Sequence, residues 1–244
     1  MTGRALHLAL LSAYAVLWLG GLATCCRPAP PVQPSWGATG FLLCGAALVW
    51  LNAPGARAWL LLVGCGGWLA ELVGSRFGVP FGPYSYTGAL QPQLAGVPLV
   101  MSCAWIVLVA YVKSLEPALR APAALRVFAG AAWMAVIDLA IEPVATHMLA
   151  YWRWHAPGVY HGVPWSNFAG WLVVSALLLA AGLRVRLSSG WVRRIGLSVV
   201  AFFGALGAAG GIRASAGVAL LLLALHAALS RLGGVRAAGT VAKL

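Results

Sequence analysis

Only four carboxylates occur in the 244 residues, and three of them fall inside apolar segments. Glu71 lies near the end of one such segment. Asp138 and Glu142 lie in another, and their i, i+4 spacing puts them on one helix face. An acid at the centre of a membrane helix costs about 2.5–3.5 kcal/mol on insertion scales, so such residues usually face the bundle interior and mark function. Loss of hydration and a neighbouring like charge both favour a neutral carboxyl. A carboxylic acid that keeps its proton near neutral pH can serve as a general acid. Two carboxyls in one site can divide the work, one giving a proton while the other holds a water or offsets positive charge. The structural alternative is a buried ion pair with Arg76 or Arg153, or hydrogen bonds that tie helices together. Two acids on one face, with a third able to approach, favour function. Pro143 directly follows Glu142, which predicts a kink that turns that acid into a cavity. The fourth acid, Glu116, precedes Pro117 in a basic loop and reads as a solvated loop charge.

Aromatic residues crowd the stretches between these acids: Tyr84, Tyr86, Tyr151, Trp152, Trp154, Tyr160 and Trp165. Most fit the aromatic belt that anchors helices at a membrane interface. One or two can instead line a site for a long apolar ligand and stabilise a cation over a ring face. The substrate-binding candidates are Tyr84, Tyr86, Trp154, Tyr160, Trp165 and Asn167. Asn167 reads equally as a residue of a helix N-terminus or as a hydrogen-bonder in the site. Gly78 to Tyr84 and Gly162 to Trp165 are dense in Gly and Pro and predict tight turns. Irregular backbone near membrane depth is tolerated where protein buries it or it lines a cavity. His147, His155 and His161 can join a proton path or a metal site, but their spacing matches no standard metal motif and no metal is expected. His7 and His226 read as interfacial or core residues.

The elements that position these groups follow from composition. The chain is 62% hydrophobic and 8% charged, against about 45–50% and about 25% in soluble domains. A water-soluble globule and a disordered chain are both excluded. The solvent is lipid, and a spanning helix needs about 20 apolar residues. Apolar runs cover roughly 5–24, 36–53, 57–75, 96–115, 122–147, 165–183, 193–210 and 213–230. The fold class is therefore all-α, a polytopic membrane helix bundle forming one transmembrane domain over 1–244. Eight spans are expected, with seven as the alternative if the break at Gly207, Gly210, Gly211 and Arg213 is not a real one. The first run follows Arg4 and resembles a signal peptide, and Leu22 to Cys25 hints at a lipoprotein cleavage site. Because further spans follow, it is read as a retained helix. Pro28, Pro30, Pro31 and Pro34 mark the loop after it. Cys44, Cys65 and Cys103 lie in apolar runs as small hydrophobes, and neither they nor the adjacent Cys25 and Cys26 make a metal or disulfide framework.

Net charge is +12, yet the basic residues are scattered between apolar runs, which argues against nucleic acid and for topology signals. With the N-terminus in the cytoplasm, eight spans place Arg4, Arg57, Lys113, Arg120, Arg126, Arg184, Arg186, Arg193, Arg194, Arg231, Arg236 and Lys243 inside. Arg27, Arg76, Arg153 and Arg213 fall outside. Both termini are then cytoplasmic in a multi-pass protein of the inner cell membrane. The special loops, about 76–95 and 148–164, fall on the outer side, so a site built from them lies in the outer half of the membrane.

The blocks in order are Glu71, then FGVPFGPYSYTGAL and GVPLV, then D-x-x-I-E-P from Asp138 to Pro143, then W-x-W and the run from Tyr160 to Trp171. Together they resemble the membrane carotenoid 1',2'-hydratases of the CruF type, a family also described as bisanhydrobacterioruberin hydratases. The resemblance covers about residues 71–171; the flanks match only in being hydrophobic. It implies addition of water to the terminal double bond of an acyclic carotenoid, lycopene-like or a C50 precursor, with no cofactor. Protonation of a trisubstituted alkene gives a tertiary cation that water captures, which suits a buried acid beside aromatic rings. Asp138 or Glu142 is the candidate donor, and Glu71 positions water or tunes the donor. Pathway enzymes are possible partners beside the bilayer. Three rivals share the composition. A membrane cyclase would use the same protonation to close a ring. A transporter would use the acids as a proton relay. A retinal protein needs a lysine within a helix, and only Lys113 and Lys243 exist.

Overall fold

The apolar runs fold as helices wherever Gly and Pro leave them unbroken. The structure, a computed structural model, describes residues 3–25 and 35–241. Among these lie eight helices: α1 (Gly3–Cys25), α2 (Ser35–Asn52), α3 (Arg57–Phe77), α4 (Met101–Leu115), α5 (Ala123–His147), α6 (Trp165–Ala181), α7 (Gly190–Ala209) and α8 (Arg213–Val241). Six are long and apolar enough to cross a membrane, while Trp36–Asn52 and Trp165–Ala181 are shorter apolar helices. The chain is an all-α membrane bundle. Gly211, in the left-handed region at φ 73, separates α7 from α8, so the last two apolar runs are two helices rather than one. The prolines 28, 30, 31 and 34, with Cys26, Arg27 and Lys243, lie outside the described residues.

Two short ribbons depart from a purely helical reading. β1 (Tyr84–Tyr86) pairs antiparallel with β4 (Trp152–Trp154), and β2 (Gln93–Leu94) pairs with β3 (Val97–Pro98). The second ribbon turns through Ala95 and Gly96, both at positive φ. That is the backbone a two-residue hairpin with native twist requires. It also explains why α4 begins at Met101 rather than near residue 96, since Val97 and Pro98 are taken by the hairpin.

α4 lies at the centre, buried continuously from Val107 to Leu115. One apolar cluster links it to residues of the other seven helices. α1 sits at the edge, with only Tyr14 and Cys25 buried. It is tied to α7 by the Tyr14 hydroxyl at 2.8 Å from Ser198 Oγ and by Trp18 Nε1, which donates to the Ser198 carbonyl at 2.9 Å. Leu19, Leu61, Phe128, Leu177 and Leu220 point outward, as expected of helices whose solvent is lipid.

The connections α2–α3, α4–α5 and α6–α7 gather at one end of the bundle with most of the arginines; the loops 78–100 and 148–164 gather at the other. Glu116, at the basic end, is buried rather than solvated. Its Oε2 lies 2.8 Å from Lys113 Nζ and 3.8 Å from Arg126 Nε. The reading as a solvated charge fails because α4 carries Lys113 into the core one turn earlier, and a buried ammonium requires a counter-charge.

Candidate active site

Glu71 is reached over α3 by rings from three directions. Gly67 and Gly74 lie on its own helix face, one turn to either side. A Cβ at Gly67 would stand 2.2 Å from Trp105 Cγ, and one at Gly74 would stand 2.6 Å from the Phe81 ring. The absence of side chains there lets aromatic residues lie directly on the α3 backbone. Trp105 of α4 then donates Nε1–H to Glu71 Oε1 at 3.0 Å. The Tyr84 and Tyr86 hydroxyls donate to Oε2 at 2.5 and 2.8 Å. Trp171 of α6 stacks on Trp105 with ring centroids 4.4 Å apart.

Glu142 is held by the other half of the ribbon. Strand residues two apart face the same side, so Tyr84 and Tyr86 of β1 and Trp152 and Trp154 of β4 all point inward. Ser85 and Arg153, paired in register between them, point outward and are exposed. The Trp152 and Trp154 indoles each donate to Glu142 Oε2 at 3.1 Å. One two-stranded clip thus supplies two phenols to Glu71 and two indoles to Glu142.

Asp138 lies one turn before Glu142 and is fully buried. Asn167, in the first turn of α6, bridges the pair: its Nδ2 donates to Asp138 Oδ2 at 2.5 Å and to Glu142 Oε1 at 3.3 Å. Asp138 Oδ1 has no hydrogen-bond partner. A cavity of about 20 Å³ lies among Glu71, Tyr84, Glu142, Trp152, Trp154 and Asn167. That is room for about one water, which needs roughly 10–15 Å³. Loss of hydration pushes the Tyr84 and Tyr86 phenols above their ordinary value, and the Glu71 charge beside them adds to the shift. Both therefore remain neutral donors.

Among the sequence-derived candidates, the fold brings together Glu71, Asp138, Glu142, Tyr84, Tyr86, Trp154 and Asn167. Tyr160 and Trp165 lie apart from the cavity, in contact with each other and with Phe168. Trp165 is largely exposed. Tyr160 has a different task. Pro143 has no N–H, so the carbonyl of Leu139, four residues earlier, loses its helical partner. The Tyr160 hydroxyl donates to that carbonyl at 2.8 Å, satisfying the backbone group opened by the proline. Burial raises the Tyr160 phenol. His147 Nε2 lies 2.8 Å from the His161 carbonyl and His155 Nε2 lies 3.0 Å from Ser85 Oγ. Neither reaches an acid through these contacts. Among the described residues no acid of this site forms a salt bridge, so the expected alternative of a pair with Arg76 or Arg153 is not what holds them.

A family model described as carotenoid biosynthesis protein matches residues 38–229, from α2 into α8. The chain belongs to the carotenoid biosynthesis protein family. Over 135 residues it is 35% identical to bisanhydrobacterioruberin hydratase of Haloarcula japonica, a match covering 48% of this chain and 44% of that relative. The match therefore spans less than half of the relative's length. No solved structure matches the chain significantly. Glu71, Asp138 and Glu142 of this carotenoid biosynthesis protein all fall within the family match.

Five residues of the site lie outside the sequence-derived candidate set: Phe81, Met101, Trp105, Trp152 and Trp171. For Trp152 a signal exists, because Tyr-Ser-Tyr and Trp-Arg-Trp each alternate with period two and so read as short strands with one inward face. Trp105 offers none, since a tryptophan in an apolar helix reads as core.

Proposed function

We propose that this carotenoid biosynthesis protein is a hydratase that adds water across the terminal C1'–C2' double bond of an acyclic carotenoid. The observation that carries the reading is the water-sized cavity walled by Glu71, Glu142 and Asn167, with Asp138 behind it on the Asn167 amide and its Oδ1 accepting no hydrogen bond. Glu71 and Glu142 each accept three hydrogen bonds from neutral side-chain donors and are built as acceptors. Asp138 accepts one, on Oδ2, which leaves Oδ1 to carry a proton. In the proposed step the Oδ1–H bond breaks as a C–H bond forms at C2', and the alkene electron pair leaves C1' as a tertiary cation. Tyr84, Trp152 and Trp154 supply ring faces that favour a cation nearby. The oxygen of a water held in the cavity bonds to C1', and its surplus proton passes to Glu142. Asn167, bonded to both carboxyls, keeps Glu142 beside Asp138 for return of the proton. The sum is one water added and no change of oxidation level in the enzyme.

The name of the Haloarcula relative, a bisanhydrobacterioruberin hydratase, supports hydration; lycopene is the probe. Expression in a lycopene-accumulating host, with chromatography and mass spectrometry of the pigments, tests the reading. A product heavier by one water with an unchanged chromophore is expected. An isomer of unchanged mass with a shortened chromophore overturns hydration in favour of cyclisation. The charge bias further supports an inner-membrane protein of one transmembrane domain, with both termini cytoplasmic and the acids in the outer half. Reporter fusions at the two termini test that orientation.

A further inference from the structure

The acid cavity, at about 20 Å³, has no room for an end group carrying a long chain. A second and larger space lies at the same end of the bundle. It is an apolar cleft of about 380 Å³ between α1, α2 and α7, lined by Leu17, Phe41, Leu42, Tyr151, Phe202 and Phe203 among others. Its rim residues Val16 and Trp36 are largely exposed, so the cleft opens toward lipid. Two other sizeable cavities lie at the opposite, basic end, lined by Lys113, Glu116, Arg126, Arg186 and Arg193. Their polarity does not suit a hydrocarbon.

The cleft and the acid cavity share a wall. Ala38, Leu42 and Tyr151, which line the cleft, and Tyr86, which lines the acid cavity, all pack against one apolar cluster of Leu90, Val100 and Met101, and Met101 itself lines the acid cavity. The Tyr151 ring also touches Trp152, with centroids 6.2 Å apart, and Trp152 holds Glu142 at 3.1 Å. The two spaces are thus linked through neighbouring aromatic side chains.

We propose that this cleft cradles the polyene chain of the carotenoid and that its end group reaches the acids past Tyr151 and Tyr86. The inference rests on the hydratase reading for the identity of the ligand. It accounts for how a long hydrocarbon and a single water can share one site: the chain lies in the cleft, and the terminal double bond meets the edge of the polar cavity that holds the water.

Gly20 and Gly37 make the cleft testable. Both line it, and a Cβ at either meets nothing within 4 Å. Phenylalanine at these positions is introduced to fill the cleft from open starting positions, and in a helix it is no worse than glycine. The probe is lycopene. Full-length Asp138→Asn protein, expected to bind without converting, is purified from lycopene-loaded membranes, and bound pigment per protein is read by absorbance. Adding Gly20→Phe with Gly37→Phe is expected to lower retention roughly tenfold, since displacing a few buried methylenes has that effect. Gly217→Phe, on the exposed face of α8, is expected to leave retention unchanged. The single variants Gly20→Leu and Gly37→Leu serve if the double variant does not accumulate. Retention unaffected by filling the cleft overturns the proposal, and so does loss of a co-purifying phospholipid with lycopene still held, which assigns the cleft to bilayer lipid. The same filling variants in the active protein separate the two readings. Lost retention with no hydrated product from the wild type leaves the cleft standing and removes hydration. Hydrated product at the wild-type rate from the filled cleft does the reverse.

Discussion

At the basic end of the bundle, Glu116 lies 2.8 Å from Lys113 Nζ and 3.8 Å from Arg126 Nε. At the loop end, Glu71, Asp138 and Glu142 are held by phenols, indoles and one amide, with no salt bridge among the described residues. All four acids are buried, but the partners differ in kind. A cation pairs with its carboxylate charge for charge, and removing one member leaves the other uncompensated in a low-dielectric core. Neutral donors satisfy oxygen lone pairs without fixing the charge. An acid held that way can exchange a proton with a substrate or a water. The first arrangement ties α4 to the loop that follows it; the second suits catalysis.

The largest expected effect sets the two ends directly against each other. Asp138→Asn, nearly isosteric, is expected to lower the rate of lycopene hydration by about 10³-fold, within the range general-acid catalysis supplies. Glu142→Gln should be comparably inactive. Both should elute as folded protein in detergent. Glu116→Gln should hydrate at the wild-type rate. Full activity of both site variants in membranes would sink the acid assignment.

Stability should divide in the opposite sense. Glu116→Ala strands the buried Lys113 ammonium and is expected to cost about 3 kcal/mol, visible as a lower thermal midpoint in detergent. The double change Lys113→Met with Glu116→Leu should recover most of that loss. If Asp138→Asn destabilises as much as Glu116→Ala, the contrast between structural and chemical acids fails.

Smaller effects sharpen the picture within the loop end. Tyr86→Phe removes one of the three donors to Glu71 and is expected to cost about 1.5 kcal/mol, read as a fall of roughly tenfold in rate. Tyr160→Phe leaves the Leu139 carbonyl unpaired and should cost about 1 kcal/mol of stability, with a thermal shift exceeding its effect on rate. Trp165→Ala, at an exposed position, should stay within about 0.5 kcal/mol of the wild type. A strong loss of substrate binding in Trp165→Ala would restore it to the site.

Much of the molecule is legible in its amino-acid sequence. Long apolar runs punctuated by Gly and Pro mark the eight helices, because lipid leaves a chain few ways to satisfy its own backbone. The acids stand out because charge is so costly in such segments. The i, i+4 relation of Asp138 and Glu142 follows from helical period alone. Sequence misleads where a long-range neighbour decides the outcome. Glu116 looks solvated until α4 is seen to bury Lys113 beside it. Tyr160 looks like a pocket residue until the carbonyl freed by Pro143 claims its hydroxyl.

Sequence alone therefore determined the solvent, the spans and the identity of the acids, since hydropathy and helical period are local properties of the chain. Tertiary structure decided what each acid touches. Trp105 is 34 residues from Glu71, and the β1–β4 register pairs Tyr84 with Trp154. Contacts of that range depend on how whole helices pack. Two side-chain-free positions, Gly67 and Gly74, let the rings settle onto α3, and no local pattern around Glu71 specifies which rings those will be.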